Sequence, residues 1–430
     1  MIYHLFQYLE SIGADFPGLG LMHYLSFRAM MAAVTAVLVA LIAGKRIIRM
    51  LQSKQIGETV RDLGLADQIQ KKGTPTMGGI IIILSILSGV LLFCDLTNIY
   101  VILLLVSTLW CGALGFADDY IKVFKHNKEG MSERGKLVGQ VILGFIVGLT
   151  VWMSPDIVVR EKVEVRESEE RSLETETTVT SGRFVEENVV KSTKTTIPFV
   201  KNHEFDYRWL SPVKGVWGWY AKWAIYVLMI VLVITACSNG TNLTDGLDGL
   251  AAGTSAIVGV VLGIMAWLGG NLIDSNFLNI MYIPGSGEMA IFMSAFVGAL
   301  VGFLWFNSFP AQVFMGDTGS HTIGGIIGVS AVLMRKELLI PLLCGVFFAE
   351  SLSVLIQRTY FKITKKKYGQ GRRVWSMTPL HHHYQDKKAP EGPVLFPKPV
   401  PAQHEAKITV RFWIVGIILA VSTLALLKIR

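Results

Sequence analysis

The sequence predicts an all-α polytopic integral membrane protein of about ten transmembrane helices, and three observations carry that expectation. Hydrophobic residues make up 52% of the 430-residue chain, and 42 glycines come in addition. Charged residues are only 17%, against about 25% in an ordinary soluble domain. The apolar residues are also gathered into long runs, and a helix crossing the ~30 Å hydrocarbon core needs about 20 mostly apolar residues. A disordered chain is excluded, since its mark is low hydrophobicity with high net charge. A soluble multidomain protein fits the composition poorly.

Ten runs qualify as candidate spans: 24–44, 78–94, 99–117, 137–153, 216–236, 249–268, 288–306, 323–334, 338–358 and 410–428. The second, fourth and eighth are short. Glycines recur inside several, as at Gly324, Gly325 and Gly328, and small residues let helices approach closely in lipid. The first 20 residues carry no basic n-region and no cleavage site, so no removable signal peptide is expected. The four cysteines (Cys94, Cys111, Cys237, Cys344) lie in or beside apolar runs without CxxC spacing, which indicates neither a disulfide framework nor a zinc site.

Orientation follows from the basic residues. The chain has 40 Lys+Arg against 32 Asp+Glu, a net charge of +8, and Lys and Arg in short loops mark the cytoplasmic side. Segments 45–77, 118–136 and 359–409 are strongly basic, whereas 95–98, 269–287 and 335–337 hold few basic residues beyond Arg335 and Lys336. With an even number of spans, both termini are then expected outside and the basic loops inside. The basic excess reads as orientation signal and anionic-ligand chemistry, with no nucleic-acid partner. Residues 155–210 alternate charge with Val, Thr and Ser, as in Val158–Val165 and Thr175–Thr180. Period-two alternation predicts β-strands or hairpins, and the acidic run Glu167, Glu169, Glu170 argues for partial disorder. This stretch is expected to be an extracytoplasmic accessory insertion on a single membrane-embedded catalytic domain of residues 1–430.

Five polar clusters interrupt or abut the spans, and the inferred topology puts all five on the cytoplasmic face. They are Lys71-Lys72-Gly73-Thr74-Pro75-Thr76-Met77-Gly78-Gly79, Phe116 to Tyr120, Asn239 to Gly249, Asn307 to Ser320, and Thr378 to Tyr384. Acids near bilayer depth are costly and mark function by default. Asp118, Asp119, Asp245, Asp248 and Asp317 would repel one another on converging unless a cation sat among them. Hard oxygen ligands with no nearby thiolate suit Mg²⁺, and glycine-rich backbone beside Lys71 and Asn242 can approach phosphates. The inference is a magnesium-dependent site for a diphosphate-containing substrate. Each motif alone also has a plainer reading. An Asp-Asp pair ends a helix, Gly73-Thr-Pro-Thr opens one, Asn239–Asp248 is rich in turn formers, and three histidines can form a surface metal tract.

The stretches GTPTMGG (73–79), FADDY (116–120), NLTDGLDGLA (242–251), FMGDTGS (314–320) and TPLHHHY (378–384) together resemble the polyprenyl-phosphate N-acetylhexosamine-1-phosphate transferases, from Lys71 to His383. The resemblance is closest to the branch that handles phospho-MurNAc-pentapeptide. It implies that undecaprenyl phosphate attacks UDP-MurNAc-pentapeptide, giving lipid I and UMP with Mg²⁺ as cofactor, by direct in-line displacement. It also implies an inner-membrane enzyme of peptidoglycan synthesis, and it allows a homodimer. By the same resemblance Asp317, Asp118 and Asp119 would hold the metal, with Asp118 also the candidate base. Lys71 and Thr76 would hold phosphate or the uridine end. Asn239, Asn242, Asp245, Gly246, Leu247, Asp248 and Phe314 would form the nucleoside pocket, with Asn307 at its edge and Phe314 stacked on uracil. Lys122 and Lys136 would contact phosphates or base, and His381, His382 and His383 would orient the sugar–diphosphate. Two rivals remain at this stage, a sister enzyme using UDP-GlcNAc and an ion-coupled transporter. Transporters place their acids near the midplane with internal repeats, neither of which is seen.

Overall fold

The computed structural model describes residues 1–14, 18–53, 73–125, 127, 129–160, 189–198, 204–385, 393–397 and 402–427. Each of the ten apolar runs is helical. The order begins with α1 (Ile2–Ser11), α2 (Leu25–Ser53), α3 (Gly79–Phe93), α4 (Ile99–Phe124) and α5 (Glu133–Met153). It continues with α6 (Gly215–Thr244), α7 (Leu250–Gly270), α8 (Leu272–Leu278), α9 (Gly287–Asn307) and α10 (Gly316–Leu333). The last helices are α11 (Ile340–Leu343), α12 (Gly345–Tyr368), α13 (Leu380–Gln385) and α14 (Glu405–Leu426).

Among the described residues, seven helices are long and apolar enough to cross a bilayer, and an eighth is added if Glu337–Leu343 and α12, bent by 79°, form one broken span. The ten expected runs fall on helical segments, while the count of ten spans goes beyond these seven or eight. Helix α3 has only 15 residues, and the first two turns of α10 carry Asp317, Thr318, Ser320, His321 and Thr322. A polar start is tolerable in α10 because the helix has no lipid-facing side, with every residue from Thr318 to Leu333 buried. It packs against α3, α4, α6 and α7.

Missing side chains make that enclosure possible. A Cβ on Gly115 of α4 would lie 2.5 Å from the Asp317 carbonyl carbon and 2.7 Å from Thr318 Cα. A Cβ on Gly79, which opens α3, would lie 2.7 Å from the Thr318 carbonyl carbon. Backbone therefore meets backbone, the close approach that small residues permit in lipid. Two separate helices are thus brought to the first turn of α10.

The bundle has two distinct ends. At one, Asn98 Nδ2 donates to Gly285 O at 3.1 Å, and Arg160 forms an isolated bridge with Tyr282. The described parts of 155–210 gather there. Strands β1 (Val159–Arg160) and β2 (Val189–Val190) pair antiparallel, as do β3 (Lys194–Thr196) and β4 (Glu204–Asp206). The expected strands are thus present where the chain is described, while Thr175–Thr180 and the acidic run lie outside the described residues. Strand β3 is built into this end, since the Thr196 N–H and the Thr195 hydroxyl each donate to Arg335 O at 3.0 Å. Lys336 Nζ donates to Thr196 Oγ1 at 2.5 Å, and Tyr207 donates to Glu337 Oε1 at 3.1 Å. Burial pushes the Lys336 ammonium down to about 8, with Glu337 partly opposing.

At the opposite end the polar clusters meet. Gln357 of α12 donates to Trp375 O and accepts from the Val374 and Trp375 N–H groups. Those bonds clamp β5 (Arg373–Trp375), which pairs parallel with β6 (Val394–Phe396). This clamp carries the chain back toward the bundle, where α13 presents its histidines.

Candidate active site

The first turn of α10 has free backbone N–H groups, as every helix N-terminus does. Asp119, near the end of α4, satisfies them from another helix. Its Oδ1 accepts from Asp317 N at 3.1 Å, and its Oδ2 accepts from Thr318 N at 2.9 Å and Thr318 Oγ1 at 2.6 Å. The positive end of the helix dipole favours a carboxylate there. Asp119 therefore fixes the rotation and depth of α10 and, through them, the direction of the Asp317 side chain.

Asp118, the preceding residue, engages cations instead. Its Oδ2 lies 2.6 Å from Lys122 Nζ and 2.8 Å from Lys136 Nζ, and its Oδ1 accepts from Met131 N at 2.5 Å. The same two ammonium groups reach Asp317 Oδ2, at 3.1 Å and 2.5 Å. Asp317 Oδ1 accepts from Asn242 Nδ2 at 2.9 Å, and that amide also donates to Ser320 at 2.9 Å. One oxygen from each of Asp118, Asp119 and Asp317 falls within a 4.8 Å cluster. Three carboxylates against two ammoniums leave a formal charge of −1 in a largely buried place. Oxygen donors without a thiolate among them suit a hard divalent cation.

The remaining expected residues divide by what they touch. Lys122 and Lys136 sit among the carboxylates. Asp248 and Asn307 are 4% exposed and hold loops together. Asp248 Oδ2 accepts from Ala311 N at 3.0 Å, while Asn307 accepts from Gly249 N and donates to Val313 O. Leu247 packs with Leu250 and Ile408, so these three are scaffold for the 239–249 turn. Asn239 donates to Gln140 and to Thr235 O. Asp245 caps the C-terminal end of α6, and Gly246 is exposed.

Thr76 is 7% exposed, and its hydroxyl lies against Gly316, where an added Cβ would be 2.9 Å away. Phe314 is half-buried; its N–H donates to Pro75 O, and its carbonyl accepts from Gly78 N, both at 2.8 Å. His381 is buried with Nδ1 3.2 Å from Glu350 Oε2, and its ring presses on Gly246. His382 faces Gln385 at 3.2 Å, and His383 Nδ1 accepts from Ser376 N at 3.3 Å. The structure thus brings four of the five clusters together with the outer part of the first, while Lys71 lies outside the described residues.

Sequence reasoning missed several residues that hold these groups. Glu350 supports His381, and Glu405 accepts from Asp248 N at 2.7 Å and from Gln385 at 3.3 Å. Gln140, Ser238 and His321 form a buried polar group beneath Asp317. A signal for His321 was present, since it stands four residues after Asp317 in a run otherwise filled with small and apolar residues.

An enclosed carboxylate–lysine centre at one end of a helical membrane bundle is the architecture of a membrane-embedded phosphosugar transferase. Comparison with known families agrees: glycosyl transferase family 4 matches residues 189–335, and phospho-N-acetylmuramoyl-pentapeptide-transferase signature 1 matches residues 71–83. Over the full length of both chains, this one is 57% identical to the phospho-N-acetylmuramoyl-pentapeptide-transferase of Parabacteroides distasonis. It is 52% and 53% identical, again over full lengths, to the enzymes of that name from Flavobacterium psychrophilum and Porphyromonas gingivalis. The chain belongs to the phospho-N-acetylmuramoyl-pentapeptide-transferase family.

Proposed function

We propose that this enzyme transfers phospho-MurNAc-pentapeptide from UDP-MurNAc-pentapeptide to undecaprenyl phosphate, releasing UMP and forming lipid I for peptidoglycan synthesis. The observation that carries the reading is the convergence of Asp118, Asp119 and Asp317, with ligand atoms within 4.8 Å, beside Lys122 and Lys136 in a chain of this family. Asp118 and Asp317 are the residues proposed to hold Mg²⁺, with Asp119 contributing an oxygen from its capping position. A magnesium ion bound there supplies positive charge to neutralise the diphosphate.

The chain's own groups do the rest. An oxygen of the lipid phosphate attacks the sugar-bearing phosphorus, the bond from that phosphorus to the bridging oxygen breaks, and UMP leaves with the electron pair. A phosphate monoester with second pKa of about 6 is largely dianionic near neutral pH, so little base catalysis is needed. Asp118 suits that economy, because both of its oxygens already accept from cations or an amide. Lys122 and Lys136 carry mobile charge that can turn to the phosphates, the electrostatic help that phosphoryl transfer needs most. Asn242 and Asp119 hold Asp317 in place, and His381, braced by Glu350, faces the turn proposed to bind the nucleoside. Phe314 and Thr76 complete that proposed pocket, with Asp245, Gly246 and the scaffolded Leu247 on its wall.

The basic loops support a reading in which this end faces the cytoplasm at the inner membrane, about ten helices span and 155–210 is an accessory insertion outside. The test is UMP release by detergent-purified protein offered UDP-MurNAc-pentapeptide or UDP-GlcNAc with undecaprenyl phosphate, with and without EDTA. Turnover with the muramoyl substrate alone, abolished by EDTA and restored by Mg²⁺, is expected. Turnover only with UDP-GlcNAc refutes the substrate assignment.

A further inference from the structure

Beneath the acid cluster lies a chain of buried polar side chains whose donor and acceptor roles can be read in one direction. It starts at the Thr235 carbonyl, which can only accept, so the Asn239 atom 2.9 Å from it is the amide nitrogen. That nitrogen also donates to Gln140 at 2.9 Å, which makes the contacted atom Oε1. The Gln140 nitrogen therefore faces Ser238 Oγ at 3.1 Å and His321 Nδ1 at 3.4 Å. Ser238 Oγ accepts from Gln140 and gives its own proton to His321 Nδ1 at 2.9 Å. With donors on the Nδ1 side, the imidazole carries its hydrogen on Nε2.

That Nε2 is buried, has no hydrogen-bond partner among the described residues, and lies 3.9 Å from Asp317 Oδ2. His321 is itself 1% exposed. A buried N–H left without an acceptor costs free energy, so its position against a carboxylate needs a reason. Asp317 Oδ2 presently holds both Lys122 and Lys136, and on the reading above those lysines turn to the substrate's phosphates. We propose that His321 is a positioning residue: its Nε2–H closes on Asp317 Oδ2 as the lysines leave and holds the carboxylate in its ligand orientation. Gln140, Ser238 and Asn239 set the tautomer that allows this. Groups that orient a ligand from behind in this way typically change metal affinity by about 10–100-fold when removed.

The experiment compares His321→Leu and His321→Gln in the full-length protein; glutamine keeps an N–H donor, and leucine does not. Mn²⁺ affinity is read by electron paramagnetic resonance with UMP present, whose phosphate draws the lysines from Asp317, and kcat and KM are read separately. His321→Leu is expected to weaken Mn²⁺ binding about tenfold and to lower kcat with KM little changed, while His321→Gln recovers most of both. A thermal-unfolding cycle of His321→Leu with Asp317→Asn, run with UMP present, reads the pairing without reference to activity, and it should be non-additive. Additive melting shifts, or equal losses in the Leu and Gln variants, overturn the proposal. Non-additive melting in a wild-type protein that binds no Mn²⁺ upholds the His321–Asp317 pairing and instead overturns the metal reading of the site.

Discussion

Substituting Gly115 by alanine tests whether the site depends on backbone contact between α4 and α10. The new Cβ would stand 2.5 Å from the Asp317 carbonyl carbon, where ordinary contact begins at 3.4 Å. Both neighbours are helix backbone, so no side chain can swing aside; the Asp317 carbonyl oxygen stands closer still, and the helices must part by more than about 0.9 Å. Overpacking of this kind costs about 1–3 kcal/mol, which a bundle this extensively buried should survive. The chemistry is less tolerant. Asp119 grips the first turn of α10 through bonds of 2.6–3.1 Å, and Asp118 must stay in register with Asp317. A displacement near 1 Å can lower turnover about 100-fold. The assay is UMP release in detergent across a Mg²⁺ titration, with size-exclusion profile and melting temperature as controls. A folded Gly115→Ala enzyme with wild-type turnover at the wild-type Mg²⁺ requirement would refute the idea that this contact sets the site.

Asp118→Asn should keep the fold, because Lys122 and Lys136 retain Asp317, yet lose at least about 100-fold in kcat; near-normal turnover would remove Asp118 from the machinery. Asp119→Ala deletes an N-terminal cap typically worth about 1 kcal/mol, so its melting temperature should fall below that of Asp118→Asn. Lys336→Met removes a buried ammonium whose folded value of about 8 lies below its ordinary value, a penalty of about 3 kcal/mol at 1.36 kcal/mol per unit. The penalty is complete below about pH 8 and fades as pH rises toward 10.5. Wild-type stability should therefore rise over that window, while Lys336→Met starts higher and responds less; a flat wild-type melting profile would count against it. Replacing 161–188 with a short Gly-Ser linker should leave most transfer activity. Extending the deletion through Thr196 should destabilise the protein, because Arg335 O and Lys336 lose their partners; equal stability of the two deletions would contradict that.

The helical membrane bundle and the meeting of polar clusters were legible because both are written as local composition. Apolar runs report burial or lipid, and five breaks of Asp, Asn, Gly and His stand out against them. The division of labour within the site was not legible. Asp118 and Asp119 are adjacent in sequence, but one serves cations and the other caps a helix that begins almost 200 residues later. Only the depth at which α4 meets α10 decides which is which. Asn307 and Asp248 carry the side chains of binding residues but are consumed by backbone groups of neighbouring turns. His321 escaped notice because a single polar residue in an apolar run says nothing of the serine and glutamine that face it from other helices. The run 323–334 was read as a short span of its own, whereas the helix begins at Gly316 with a polar turn that protein walls in.

The helix that bears Asp317 is surrounded along its whole length and touches β3 through the turn that follows it. Such a rod can neither roll nor slide without disturbing every wall at once. Its carboxylate is a fixed reference point, and rearrangement in the site falls to the side chains around it, Lys122 and Lys136 first among them.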